Sequence, residues 1–448
     1  MLNDLTTGSP GKIILRFSTP LLLSTAIQQI YNITDSVIVG RFVGSGALAA
    51  IGAAYPITLF FVAMATGSSM GCSVIISQLF GAKKMARMKS AVFTAIISLF
   101  ILGVAVSALG IILSRPLMRI LNASDDIFRD ASMYLAIYSA GVLPLFIYNT
   151  ANAIFTGLGV SKKPLYFLIF SSILNVVLDL VAVRALHMGV TGSAWATTVS
   201  ITAAAALAVV SLISQIRRID VGEKTQVFSR ELLGSMARIA VPSIFQQSCV
   251  ALAHTIVQGL VNTFSTSVIA GYEVASKIHN FAYMSFNTLG TALSSYAAQN
   301  FGAGKKDRIR QGYRASTAMC FTLTVAVVLV MQVFPAQLIR LFIDGSKGAE
   351  VIEVGVKFLR IISPDYLIIC FIITTGGLMR GVGRIRDFFI VTVVDFTVRV
   401  AMCFILTGAL NSYTGLFWAW YFGSTVDVIP CLLIYAWMCR KGELRLGA

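Results

Sequence analysis

Charged residues are scarce in this chain of 448 residues. Asp, Glu, Lys and Arg together make up 12% of it, against about 25% in soluble globular proteins. Hydrophobic residues make up 57%, and the mean hydropathy is +0.82. A composition this apolar excludes an ordinary soluble domain and predicts a protein that resides in the lipid bilayer.

Residue patterns for metal binding, disulfide bonding and catalysis are also missing. The seven cysteines are odd in number and contain no CxxC pair, and His187, His254 and His279 show no ligand spacing. Neither a zinc site nor a disulfide framework is therefore expected. An HExxH motif does not occur, and we identify no Gly-Xaa-Ser-Xaa-Gly nucleophile elbow. We expect a protein that is not an enzyme and that needs no cofactor.

Long apolar runs are abundant, and breaking them at Gly, Pro and charge clusters predicts about twelve membrane-spanning helices. The net charge is +16, but Lys and Arg gather in short clusters such as residues 83–89 and 305–310. These clusters follow every second run, which is the pattern of cytoplasmic loops. The charge thus indicates orientation rather than nucleic-acid binding. It predicts a multi-pass protein of the cell membrane with both termini in the cytoplasm.

Sequence similarity between the two halves indicates an internal duplication. Gln78-Leu-Phe-Gly-Ala82 matches Gln299-Asn-Phe-Gly-Ala303, Pro20 matches Pro242 and Trp195 matches Trp418, all at offsets of 221–223 residues. We predict an all-α polytopic fold with twelve transmembrane helices in two six-helix lobes. The lobes, residues 1–216 and 234–448, would be joined by a cytoplasmic linker at 217–233. Because each lobe has an even number of helices, they would be related by a pseudo-two-fold axis along the membrane normal.

Two carboxylates in the N-terminal half lie in apolar runs without a basic residue three or four positions away, namely Asp35 and Asp179. A charge at membrane depth costs roughly 2.5–3.5 kcal/mol, so it usually handles ions or substrate. At a rise of 1.5 Å per residue, both side chains, with Asn175 and Thr197, lie about 6–10 Å below the outer helix ends. Such a set suits Na⁺, and two close carboxylates can also share a proton. The alternative is that these groups only bond helix to helix.

Two of the four acidic residues that lie in apolar runs of the C-terminal half are compensated by a nearby base. Glu273 precedes Lys277 and Asp395 precedes Arg399, each by four residues, so both pairs are either structural locks or contacts for a substrate or gate. Asp427 lacks such a partner and is a further candidate. Asp365 follows Pro364 near an outer helix end, where we expect it to reach water.

Pro20 lies in the first predicted helix, fifteen residues before Asp35. Proline removes one helical hydrogen bond, so the helix can bend there. We interpret Pro20 as a hinge whose bend responds to proton or cation binding at Asp35.

The chain resembles the multidrug and toxic compound extrusion (MATE) family over essentially its whole length. The most specific matches are Asp35 within Asn32-Ile-Thr-Asp-Ser-Val-Ile-Val-Gly40, the pair in Asn175-Val-Val-Leu-Asp179, and Gly192-Ser-Ala-Trp-Ala-Thr197. The resemblance implies a Na⁺- or H⁺-driven exporter of organic cations with its coupling site at Asp35, Asn175, Asp179 and Thr197. Some branches also use acidic residues of helices seven and ten. This chain has none in helix seven, so a second cation site is not expected.

Two other functions compete with multidrug antiport. Related carriers flip lipid-linked sugars, but they line the cavity with basic residues, and few basic residues lie within helices here. A membrane-embedded enzyme would need one of the catalytic motifs considered above. We therefore expect an antiporter that works by alternating access on a cationic amphipathic small molecule, and we expect it to be a monomer.

Overall fold

The computed structural model describes residues 3–43, 45–219, 221, 225–342 and 348–440. These residues form fifteen α-helices, one π-helical turn (Leu180–Ala185) and one 3-10 turn (Ser363–Asp365), and no β-strand. The helices are α1 (Pro10–Phe42), α2 (Ser45–Gly81), α3 (Met85–Ile120), α4 (Asp125–Ala140), α5 (Val142–Gly157), α6 (Lys162–Asp179), α7 (Gly189–Arg217), α8 (Arg230–Val261), α9 (Thr266–Gly302), α10 (Lys306–Val333), α11 (Pro335–Arg340), α12 (Ala349–Ile362), α13 (Tyr366–Gly381), α14 (Ile385–Leu410) and α15 (Thr414–Arg440). The predicted all-helical fold class is confirmed.

Nine helices among the described residues are long and apolar enough to cross a membrane. The pair α4 and α5, bent by 43° at Gly141, makes a tenth span if it is counted as one. Most helices begin earlier than the apolar runs do; α3, for example, begins at Met85 inside a basic cluster. Lys and Arg are good helix formers and extend their charged ends to water, so a helix continues through a cluster at which hydropathy falls.

Two compact units make up the chain. The first comprises Met1–Asp4 and Thr19–Ser248, and the second comprises Leu5–Ser18 and Cys249–Ala448. One division lies before α1, between Asp4 and Leu5, and the other two fall inside α1 and α8, next to Pro20 and six residues after Pro242. The linker at 217–233 remains a prediction, and its residues 220 and 222–224 lie outside the described part of the chain.

Unit 1 is held by an apolar core between α2, α3, α4 and α5, to which α7 adds. Phe146 and Met88 are fully buried there. Serine hydroxyls bond across the helix pairs: Ser107 Oγ donates to the Ser139 carbonyl (2.6 Å) and Ser77 Oγ to the Gly157 carbonyl (3.0 Å). Small residues of this kind let membrane helices approach closely.

Unit 2 combines an aromatic core with close helix contacts. Tyr272, Phe358 and Phe417 form edge and stacked ring contacts between α9, α12 and α15. Between α9 and α13, a Cβ atom at Gly377 would lie 3.0 Å from the carbonyl carbon of Gly290. These two helices pack backbone to backbone because both positions are glycine.

The N-terminal segment is bound by side chains of both repeated Gln-Xaa-Phe-Gly-Ala regions. In unit 1, Lys83 forms an ion pair with Asp4 (2.7 Å). In unit 2, the Leu5 amide donates to Gln299 Oε1 (2.9 Å), and Lys305 Nζ donates to the Thr6 carbonyl (2.9 Å). The glutamine of the second motif therefore accepts a hydrogen bond from a backbone amide that precedes α1.

Candidate functional site

The carboxyl groups of Asp35 on α1 and Asp179 at the end of α6 lie within hydrogen-bonding reach of each other. Asp179 is fully buried and Asp35 is half-buried. The Oδ1 atom of each is buried without a hydrogen-bond partner among the described residues. Two carboxyl groups in contact form a hydrogen bond only if one of them holds a proton, so this geometry fits a shared proton.

Asn175 connects Asp179 to α7. In the amide orientation that satisfies both ends of its side chain, the Asn175 nitrogen donates to Asp179 Oδ2 (2.7 Å) and its oxygen accepts from the Thr197 amide (3.1 Å). The Ser193 hydroxyl also reaches the Asp179 carboxyl. The structure thus brings Asp35, Asn175, Asp179 and Thr197 together from α1, α6 and α7.

The start of α7 is set by the π-helical turn that follows Asp179. In this turn the Leu186 amide bonds the Val181 carbonyl (2.9 Å), and the Met188 amide then bonds the Ala182 carbonyl (2.9 Å). The chain reverses within a few residues, so α7 runs back along α6. Ser193 and Thr197, four apart and on one face of α7, consequently face the end of α6.

Three tyrosines surround the carboxyl pair. The Tyr31 hydroxyl reaches the Thr197 side chain, and the rings of Tyr134 and Tyr138 stack with centroids 6.0 Å apart. Sequence spacing could have indicated that these tyrosines lie near the site. Tyr31 precedes Asp35 by four residues, and Tyr134 and Tyr138 share one face of α4.

In unit 2 the ion pair expected from the spacing of Asp395 and Arg399 is present. Arg399 Nε and Nη2 donate to Asp395 Oδ1 at 3.1 and 2.5 Å. The guanidinium also lies over the Trp420 ring, 4.4 Å from its centroid. A Cβ atom at Gly423 would lie 3.2 Å from Arg399 Nε, so glycine there lets α15 approach the pair.

Two expectations about this half were wrong. Asp365 does not reach water: it is 1% exposed and accepts a hydrogen bond from Ser424 Oγ (2.9 Å). The 3-10 turn at Ser363–Asp365 breaks the predicted helix, and Gln332 holds the turn by donating to Ser363 Oγ (3.0 Å), so the carboxyl is directed inward. Glu273 accepts from Gln258 Nε2 (2.7 Å), and in the described chain no ion pair joins it to Lys277.

Asp427 and two histidines complete the polar groups of this region. Asp427 is 6% exposed, and its Oδ1 has no partner among the described residues. His254 and His279, which seemed scattered in the sequence, both contact the Trp420 ring, with centroids 5.5 and 5.0 Å away. His279 Nδ1 is also 2.8 Å from the Tyr366 hydroxyl.

One stretch has the spacing of a nucleophile elbow, contrary to the sequence interpretation. Gly67-Ser68-Ser69-Met70-Gly71 fits Gly-Xaa-Ser-Xaa-Gly, but it lies in the middle of α2. Ser69 Oγ there donates to the Thr66 carbonyl (2.9 Å). A nucleophile elbow is a strained turn between a strand and a helix, so this stretch is ordinary helix.

Comparison with known proteins shows the family to which the chain belongs. A family model described as MatE matches residues 20–181 and 242–405, well over half of the chain. The chain belongs to the MatE family. The resemblance inferred from Asp35, Asp179 and their neighbours is confirmed.

Relatives of this MatE protein cover nearly its whole length. It is 26% identical to the probable multidrug resistance protein YoeA of Bacillus subtilis (strain 168), over 94% of this chain and 92% of that protein. It is 24% identical to the FAD transporter of Shewanella oneidensis, over 77% and 76% of the two chains. A crystal structure of MATE in complex with MaL6 matches with a TM-score of 0.92 at 23% identity, covering 98% of each chain.

Membership of the MatE family makes this protein a multi-pass membrane transporter of a multidrug exporter family. The fold is the twelve-helix MATE fold, as predicted. Family members are transporters rather than enzymes, and they need no cofactor.

Proposed function

We propose that the protein exports organic cations across the cell membrane in exchange for protons, which bind at Asp35 and Asp179. The observation that supports this most directly is the contact between the two carboxyl groups, because such a contact is favourable only when a proton lies between them. A buried site that gains and loses charge with each proton supplies the energy difference on which coupling depends.

The hydrogen bonds of Asn175 favour a proton over Na⁺. A hard cation is held by several oxygen ligands. The Asn175 oxygen is engaged by the Thr197 amide, and its nitrogen faces Asp179. Asn175 therefore supports the carboxylate as a donor, and its oxygen already accepts one hydrogen bond, so it is a poorer ligand for a metal ion than an unengaged amide oxygen.

Export of an anionic metabolite is the second candidate. The Shewanella relative named as an FAD transporter supports it. The buried polar groups of unit 2 oppose it, since Arg399 is already paired with Asp395 while Asp365 and Asp427 add two further carboxyl groups and no base. We propose that the substrate is cationic, and that the transporter acts as a monomer with both termini in the cytoplasm.

A gradient experiment tests the coupling ion. Purified protein in liposomes should drive ethidium movement when a pH gradient alone is imposed, and a Na⁺ gradient alone should leave the rate at the level of protein-free liposomes. Transport driven by Na⁺ but not by pH would contradict the proton assignment. The same liposomes loaded with FAD decide between the two substrate classes.

We also propose that α1 bends at Pro20 when the charge of Asp35 changes. The division between the two units falls between Ser18 and Thr19, directly before this proline. Proline cannot donate a backbone hydrogen bond, so the carbonyl one turn before Pro20 lacks its usual helical donor. Ser24 Oγ donates to the Pro20 carbonyl (2.9 Å), and serine bonds of this kind to the preceding turn often bend helices.

Spin labels on α1 test the hinge. Leu15 and Ile30 are both more than half exposed and flank Pro20, about 22 Å apart along an unbent helix. In a background without the seven native cysteines, we expect the label distance to change by a few ångströms between pH 5 and pH 8, an estimate based on a kink above about 20°. Pro20→Ala should abolish the change, whereas Pro242→Ala, at the matching position of the second repeat, should not. An equal shift in Pro20→Ala would locate the hinge elsewhere.

A further inference from the structure

Unit 2 contains more buried carboxyl groups than buried guanidinium groups at one place. We call Asp365, Asp395, Asp427 and Arg399 the acidic cluster of unit 2. These residues interact electrostatically with one another. Asp365, Asp427 and Arg399 are 1%, 6% and 8% exposed. Three carboxyl groups thus face one guanidinium, and an excess of this kind at membrane depth is expensive unless it serves a ligand.

Several polar atoms of the cluster have no hydrogen-bond partner among the described residues. They are Oδ1 of Asp365, Oδ1 of Asp427, Nη1 of Arg399 and, beside them, Nε1 of Trp420. Buried polar atoms are nearly always bonded, because leaving one unpaired costs about 1–3 kcal/mol. Four unpaired atoms of mixed character, on residues that interact with Arg399, indicate a place where another molecule supplies contacts.

The chain itself already places a cation in this cluster. The Arg399 guanidinium stacks on the Trp420 ring and bonds Asp395 with two nitrogens. A planar, delocalised cation between an aromatic face and a carboxylate is a favourable arrangement. His254 and His279 contact the same ring, so the aromatic surface extends beyond Arg399.

We propose that the acidic cluster of unit 2 binds the substrate of the transporter, a planar organic cation, and that Arg399 is a tethered competitor for the same carboxylates. This deepens the proposed export function and rests on it. The ligand charge is taken up by Asp365 and Asp427, which Arg399 does not neutralise. The flat apolar surface of the ligand lies on the aromatic rings.

The composition of the cluster favours an organic cation over a metal ion. A metal ion needs several converging ligands, and among the described residues no group of three or more His, Cys, Asp or Glu side chains could hold one. Aromatic faces instead favour large, weakly hydrated cations. Access is available through Asp395, whose side chain is 17% exposed, and through the half-buried Tyr283.

Equilibrium binding of ethidium, a planar aromatic monocation, tests the proposal without any gradient. The purified protein in lipid nanodiscs is titrated, and the dissociation constant is read from fluorescence anisotropy. We expect Asp427→Asn and Asp365→Asn each to weaken binding at least tenfold, because each removes one negative charge without changing shape. Arg399→Gln should strengthen binding several-fold, because it removes the competing cation.

The opposite signs separate a binding role from a structural one. If these residues served only the folding of unit 2, all three substitutions would weaken binding. The melting temperature and the monodisperse peak on size exclusion would then fall as well. Asp126→Asn, an exposed carboxylate of α4, is the matched control and should bind as the wild type does. If Arg399→Gln is not monodisperse, the decision rests on the two isosteric Asp→Asn variants.

Binding and coupling can fail independently. The tenfold effect of Asp427→Asn should persist in an Asp179→Asn background, in which we expect export to be lost. If export proves not to be proton-coupled, this comparison remains valid because it requires no transport. Wild-type affinity in both Asp365→Asn and Asp427→Asn, or weaker binding in a well-folded Arg399→Gln, would overturn the proposal.

Discussion

Replacing Asp179 with Asn should abolish proton-driven export while leaving a folded and inserted protein. The substitution keeps the shape and one acceptor oxygen for Asn175, but it removes the group that takes up and releases the proton. A carboxyl group at membrane depth destabilises the fold by roughly 2.5–3.5 kcal/mol when charged, so the variant should melt no lower than the wild type. Ethidium efflux from liposomes and thermal melting measure the two effects.

Asp126→Asn is the control for this substitution because it makes the same chemical change at an exposed position of α4 in the same unit. Its export rate should match that of the wild type. A folded Asp179→Asn protein that exports at the wild-type rate would remove Asp179 from the coupling site. Loss of folding in the variant would assign Asp179 a structural role instead.

Gly377→Val should prevent unit 2 from folding correctly. The added side chain would occupy the space of the Gly290 backbone, with Cβ 3.0 Å from its carbonyl carbon before the two methyl groups are added. Helix α13 must then separate from α9, and overpacking of this kind costs about 1–3 kcal/mol or more. We expect a strongly reduced yield of monodisperse protein and a lower melting temperature.

Gly408→Val on α14 provides the comparison. Nothing lies within 4 Å of a Cβ atom at Gly408, and the residue is exposed. Valine has a better helix propensity than glycine, so this variant should be neutral or slightly more stable. A Gly377→Val protein as stable as Gly408→Val would show that α9 and α13 do not need their close contact.

The proximity of the candidate site residues of unit 1 could be predicted from sequence because their signal is local. Asp35 and Asp179 stand in apolar runs without a neighbouring base, and Asn175 is one helical turn before Asp179. The orientation of the Asn175 amide was not predictable, because it depends on the Thr197 backbone contributed by another helix.

The polar groups of unit 2 were less predictable because their contacts are distant in sequence. Asp365 meets Ser424 across 59 residues, and it does so through a 3-10 break that hydropathy does not detect. Glu273 finds Gln258 on α8 rather than Lys277 on its own helix. Spacing along one helix predicted the Asp395–Arg399 pair correctly. It predicted a Glu273–Lys277 pair wrongly, because a neighbouring helix offers Glu273 a competing donor.

The geometry of the site depends on the number of residues in the π-helical turn after Asp179. A π turn contains one more residue between bonded groups than an α turn. With one residue fewer, Leu180–Ala185 would close as ordinary α-helix, and everything after it would rotate by about 100° and shift by about 1.5 Å. Ser193 and Thr197 would then turn away from Asp179 although no side chain of the site had changed. Insertions and deletions in this turn are therefore as consequential for the site as substitutions within it.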